Sequence, residues 1–137
     1  MKLLVVFACL ISLNSFARTT ALEALQLALP ENEYEGMDEF NEECIVDVIR
    51  GTAQTTVTLR NTDVTNFFVY ENSPYTFNQS DESFSTTLVI SSGPNTVELT
   101  FSTLRINQSQ RLVTFNRVLR TPDGRQWASA QKCTIYN

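Results

Sequence analysis

Two cysteines, Cys44 and Cys133, bracket almost every β-favouring segment of this 137-residue chain, and a third, Cys9, sits in a leader-like N-terminus. Lys2 gives the leader a positive start, residues 3–13 form an apolar run, and Ser15-Phe16-Ala17 puts small residues where a signal peptidase reads them. Residues 1–17 are therefore expected to be a signal peptide, cleaved after Ala17, with Ala21 as a second cleavage candidate. The run is too short to span a bilayer, and nothing later reaches the roughly 18 apolar residues a span needs. The expected product is secreted and extracellular, and Cys9 leaves with the leader. In an oxidising compartment the remaining pair is expected to form a disulfide. The spacing is not CxxC, and the chain has no histidine to complete a zinc site.

Between the cysteines the sequence reads as strands. Segments 44–50, 55–60, 64–71, 84–91, 96–106, 111–120 and 126–136 are rich in Val, Ile, Thr, Phe and Leu and are bounded by turn residues such as Gly51-Thr52, Ser92-Gly93-Pro94-Asn95 and Pro122-Asp123-Gly124. Most connections are short, which favours antiparallel neighbours. Val57 and Leu59 alternate with Thr56 and Thr58, and Val97, Leu99 and Phe101 alternate with Glu98, Thr100 and Ser102. Such strands have one wet face. The expected fold is all-β: about seven antiparallel strands in a β-sandwich or flattened barrel, forming one disulfide-stapled domain over 44–137. Val57, Leu59, Val97, Leu99, Phe101 and Phe115 are its expected core. An immunoglobulin-type sandwich requires a tryptophan soon after the first cysteine and a tyrosine two residues before the second. Here the sole tryptophan, Trp127, precedes the second cysteine and position 131 is Gln131. The chain thus lacks the residue pattern of that family.

Residues 18–43 divide in two. Thr20-Ala21-Leu22-Glu23 has the form of a capping box, and Leu22, Leu25 and Leu29 recur at spacings of three and four, predicting a short helix over 21–29 that Pro30 stops. A helix of this length frays in water unless its leucine face docks. The acidic stretch that follows, from Glu31 to Glu43, has the composition of a flexible segment. It contains Tyr34 between two glutamates, the setting for tyrosine sulfation, and Phe40.

Charge is uneven. Glu23, Glu31, Glu33, Glu35, Asp38, Glu39, Glu42 and Glu43 stand against Arg18 alone before the first strand, within a chain of net charge −5. The basic residues Arg105, Arg111, Arg117, Arg120, Arg125 and Lys132 crowd the end, where the acidic segment has the option of folding back onto them or of projecting toward a basic partner. An acidic chain is a poor nucleic-acid binder, because neutralising phosphates needs excess Lys and Arg.

Two sequons, Asn78-Gln79-Ser80 and Asn107-Gln108-Ser109, fall in expected loops, so Asn78 and Asn107 are candidate glycosylation sites. The densest aromatic patch is Phe67-Phe68-Val69-Tyr70 followed by Tyr75 and Phe77. With no histidine and with its clustered carboxylates in the acidic segment, the chain is not expected to be an enzyme or to hold a cofactor. The expected function is that of a secreted interaction module, an inhibitor or effector binding an extracellular protein or other macromolecule. Tyr34, Phe40, Phe67, Tyr70 and Tyr75 are its candidate contacts. The alternative is a carrier of a small apolar ligand in a β-barrel cavity, which requires an internal space of several hundred cubic ångströms.

Overall fold

A computed structural model describes residues 19–136 except Thr62; the leader, with Cys9 and the Ala17 cleavage candidate, lies outside the described residues, whereas the second candidate, Ala21, is the buried first residue of the helix. The fold is all-β with one helix at its start. Helix α1 (Ala21–Ala28) precedes nine strands: β1 (Asn32–Asp38), β2 (Glu43–Arg50), β3 (Gln54–Arg60), β4 (Val64–Tyr70), β5 (Tyr75–Asn78), β6 (Ser83–Ser92), β7 (Asn95–Arg105), β8 (Gln110–Arg120) and β9 (Gln126–Tyr136). All pair antiparallel in one curled sheet of order β4-β3-β2-β1-β9-β8-β7-β6-β5. The chain is thus a meander whose first strand also pairs with its last. It stops short of a closed barrel because β4 and β5 do not pair.

The expectation of about seven strands is two short. The acidic segment supplies β1, in which Tyr34, Gly36 and Asp38 face inward while Glu33 and Glu35 face solvent. The long connection after β4 supplies the four-residue β5, paired with the start of β6. Residues 32–38 are therefore part of the sheet rather than a flexible linker. Among the described residues no ion pair joins the acidic segment to the late arginines; instead Glu31 accepts from the Arg50 amide at 3.0 Å, and Glu33 lies 3.4 Å from Arg60.

The cysteines form the expected disulfide, with Cα atoms 6.1 Å apart. They sit on β2 and β9, the two strands flanking β1, at positions opposite Gly36 and Asp38. Two interstrand spacings in a flat sheet come to about 9.6 Å, so the sheet must fold sharply about β1 to bring them this close.

The interior is an aromatic cluster with aliphatic walls. Phe101 is fully buried, with ring centroids 5.4 Å from Phe115, 5.8 Å from Phe67 and 6.1 Å from Phe84. These tilted pairs add to the burial of large apolar surface. Val46, Val48, Val57, Leu59, Val69, Val113 and Ile135 complete the packing. Of the residues expected in the core, Val57, Leu59, Phe101 and Phe115 are buried, whereas Val97 and Leu99 are only half-buried, with Leu99 packed against the core cluster.

Helix α1 covers the side on which β4 and β5 fail to meet. Thr20 caps it, its hydroxyl accepting from the Glu23 amide at 3.2 Å. Ala21, Ala24, Leu25 and Ala28 are buried against the sheet, and Leu29 follows them inside. The Ala21 amide donates to the Glu71 carbonyl at the end of β4, while the Tyr75 hydroxyl donates to the Thr19 carbonyl at 2.5 Å from β5. The small alanines let the helix approach closely, and it docks rather than frays. At its C-terminal end the buried Arg111 donates to the Ala28 carbonyl and forms a 2.7 Å ion pair with Glu82.

Candidate functional site

The two walls of the curled sheet differ in length. Strands β1 to β4 have seven or eight residues, but β7, β8 and β9 have eleven and β6 has ten. Register places the surplus at one end. The β3–β4 turn brings Thr65 level with Gln131, with the Thr65 hydroxyl donating to the Gln131 amide oxygen at 2.6 Å across the interior. Beyond that level β6 to β9 continue alone, as an overhang closed by the β6–β7 and β8–β9 turns, whose Gly93 (φ 61°) and Gly124 (φ 86°) occupy the left-handed region.

The inner face of this overhang continues the core pattern; Leu99 at its foot still packs against the core cluster, and the side chains beyond it do not belong to that cluster. Leu88, Leu99, Arg117 and Ser129 form one cross-strand row, and Ile90, Val97, Leu119 and Trp127 form the next. Trp127 is 53% exposed and Ile90 43%, values that belong to surface, although the alternation continues that of the buried Phe101 and Phe115. Arg125 lies over the Trp127 ring at 5.7 Å and pairs with Asp123 at 2.7 Å, so the indole is held by a cation from its own turn. The carboxyl of Asp123 is held below its ordinary range, first by the Thr121 hydroxyl and then by the Arg125 amide and side chain.

The same region leaves a sheet edge open. β5 covers β6 only from Ser83 to Thr86, so residues 87–92 have no neighbouring strand on that side. Their sequence, Thr87-Leu88-Val89-Ile90-Ser91-Ser92, has neither charge nor proline, and Val89 is 60% exposed. Natural sheets blunt free edges with lysine, proline, bulges or a covering loop. None of these protects this segment among the described residues.

Where the overhang leaves the core, a cleft of about 270 Å³ opens between the upper end of β4 and the long wall. Phe67, Leu99 and Phe115 form its apolar floor, while Thr65, Asn116, Ser129 and Gln131 supply neutral polar atoms. Arg117 is the one formally charged lining residue, and it has no hydrogen bond or ion pair among the described residues. Its neighbour Arg120 pairs with Glu98 at 2.5 Å on the outer face. Among the described residues no group of three or more Cys, Asp or Glu side chains is placed to hold a metal ion.

The contact residues expected from sequence are scattered. Tyr34 is buried on β1, its hydroxyl donating to the Pro30 carbonyl at 2.5 Å. Burial raises its pKa, with the Arg111 charge opposing in part. Its hydroxyl is thus committed to an internal bond rather than presented for sulfation. Phe67 is a core residue and also floors the cleft. Phe40 is 76% exposed in the β1–β2 turn and Tyr70 is 42% exposed on β4; Tyr75 on β5 is also exposed, at 36%, with its ring stacked on Phe84 at 5.8 Å between centroids. The structure does not bring these five together into one surface. Asn78 and Asn107 are both exposed, at the sheet end opposite the overhang, where the Arg105 amide bonds to the Asp81 carbonyl between the two loops.

Sequence reasoning missed the overhang because alternation records which face a side chain occupies, not whether another layer covers it. The one available signal was the length of the last three strands relative to the first three. Comparison with known proteins adds no relative: no protein family, curated protein or solved structure matches the chain. Among the described residues, no helix is long and apolar enough to cross a membrane.

Proposed function

We propose that the chain is a secreted, non-enzymatic interaction module that binds another extracellular protein through the overhang of β6 to β9, by strand addition along residues 87–92 of β6. The observation that carries this reading is the unblunted edge. A run of Thr, Leu, Val, Ile and Ser with unpaired backbone groups is the template to which an extended segment adds, main-chain bonds giving affinity and alternate side chains giving selectivity. Leu88 and Ile90 then face the partner's contacts on the inner side, in line with Val97, Leu119 and Trp127. A buried tryptophan at the centre of an interface is a common energetic anchor.

Two further features support it. The sequons lie at the opposite end, so glycans on Asn78 and Asn107 leave the overhang accessible. The disulfide closes a loop of 89 residues, in keeping with an oxidising compartment and with the leader read from sequence. The alternative, a carrier enclosing an apolar ligand, has less support because Phe67, Phe84, Phe101 and Phe115 occupy the interior.

The test is photo-crosslinking in the extracellular fluid of the source. A benzophenone side chain at position 90 is expected to give one discrete adduct, absent when it is placed at the exposed Ile49 on β2. The adduct is expected to disappear when Val89→Lys and Ser91→Pro blunt the edge. Equal adducts from both positions, or an adduct of twice the chain mass with purified protein alone, contradict the reading.

A further inference from the structure

The cleft at the foot of the overhang carries a second and independent inference. We propose that it binds a small amphipathic anion, an alkyl chain with a carboxylate head, seating the chain between Phe67, Leu99 and Phe115 and the head on Arg117.

Three observations converge on this chemistry. The floor is apolar and assembled from both walls, β4 on one side and β7 and β8 on the other, so a chain entering it leaves water on two sides. The volume, about 270 Å³, falls just below the roughly 300 Å³ at which sites for drug-sized ligands begin. It suits a slender chain better than a fused-ring body. The polar element is a single guanidinium without a partner; among the other described arginines the exposed Arg50 on β2 also lacks a carboxylate, whereas Arg60, Arg105, Arg111, Arg120 and Arg125 are all paired. A guanidinium presents a planar fork that matches a carboxylate bidentately. With Ser129 directly across from Arg117 on β9 and Gln131 one row below, a seated head also meets a hydroxyl and an amide.

The acidic balance of the whole chain opposes any anion at long range, but those interactions are screened beyond about 10 Å at 0.1 M salt. The nearest carboxylates of the long wall are engaged elsewhere: Glu98 with Arg120 and Asp123 with Arg125. Arg117 therefore sets the local potential of the cleft.

The chain's sole tryptophan stands one row above Arg117 on the same face, so Trp127 emission reports the site without a label. Decanoate, titrated below its micelle concentration at 0.1 M salt, is expected to change Trp127 emission saturably, with one equivalent bound by calorimetry. Decanol, which has the chain without the charge, is expected to bind about tenfold more weakly, the weight of one charge-assisted pair. Arg117→Met should bring decanoate down to the level of decanol while leaving decanol unchanged. Ser129→Phe, which fills the cleft and leaves the charge in place, should abolish both. A peptide with a C-terminal phenylalanine offers the same carboxylate on a macromolecular source, and tighter binding of that peptide than of decanoate would overturn the assignment to a small amphiphile. Absence of saturable binding, or equal decanoate affinity in wild type and Arg117→Met with both variants folded by circular dichroism, would overturn the site itself. Neither result depends on the edge of β6, so failure here and failure of the strand-addition reading are separable.

Discussion

The backbone of Gly36 passes so close to β9 that a β-carbon at position 36 would stand 2.1 Å from the Thr134 carbonyl oxygen. This contact lies where the sheet turns sharply about β1 and the Cys44–Cys133 bond crosses from β2 to β9. A side chain here meets backbone, which cannot rotate away. Gly36→Ala is therefore expected to lower stability by about 2–3 kcal/mol, an overpacking penalty, visible as a fall in the urea midpoint at unchanged m-value. A silent substitution would mean that the curl is not set at this point.

The disulfide makes the same fold hard to open. The chain-entropy argument gives about 4–5 kcal/mol for a loop of this size, comparable with the whole stability of a small domain. Non-reducing mass analysis after alkylation should show Cys44 joined to Cys133, and reduction should lower the thermal midpoint steeply. Alkylation of both cysteines in the native, unreduced protein would remove the staple.

Phe101 and Val97, on one face of β7, separate the core from the overhang. Phe101→Ala should cost about 3–5 kcal/mol as a large-to-small change in a packed interior. Val97→Ala, four residues away on the same face, should cost under about 1 kcal/mol, because that side chain is only half-buried, lies outside the core cluster and leaves no enclosed cavity. Similar losses at the two positions would show that the overhang is covered in the free protein.

These two residues also mark what the sequence made legible. The β-branched and aromatic strands from 44 onward were readable because their composition and alternation are local properties. So was the helix, through its capping box and leucine spacing. β1 was not, since Glu33, Glu35 and Asp38 give it the composition of a solvated linker, and the pairing that orders it comes from β2 and β9, the latter some hundred residues away along the chain. β5 is four residues long and is held by β6 rather than by its own propensity. The cleft and the open edge were invisible for a different reason: both arise from a difference in length between two walls, and Val97, Leu99 and Phe101 look alike until the facing wall ends at Thr65.

Asp38 supplies the expected acid response. Its carboxylate accepts from the Glu42 amide at 2.9 Å, the Phe40 amide at 2.8 Å and the Asn61 side chain at 2.6 Å, tying the β1–β2 turn to the β3–β4 turn. These bonds, led by the one from Glu42, hold its pKa below the ordinary aspartate value. A depressed folded pKa means that the stabilisation is fully present above the unfolded value of about 3.9 and is lost as the pH falls through the folded pKa. Asp38→Asn should lower the thermal midpoint at pH 7 and flatten its decline between about pH 4 and pH 2. An unchanged acid limb would place the acid-sensitive group elsewhere.

Hydrogen exchange on the free protein and on its crosslink-identified complex decides whether the overhang of β6 to β9 is the binding surface. The open-edge amides within residues 87–92 are expected to exchange fast in the free protein, and protection on binding to be confined to that segment and to the overhanging residues 117–120 and 126–129. Protection appearing instead on β2 to β4, with residues 87–92 unchanged, would contradict it.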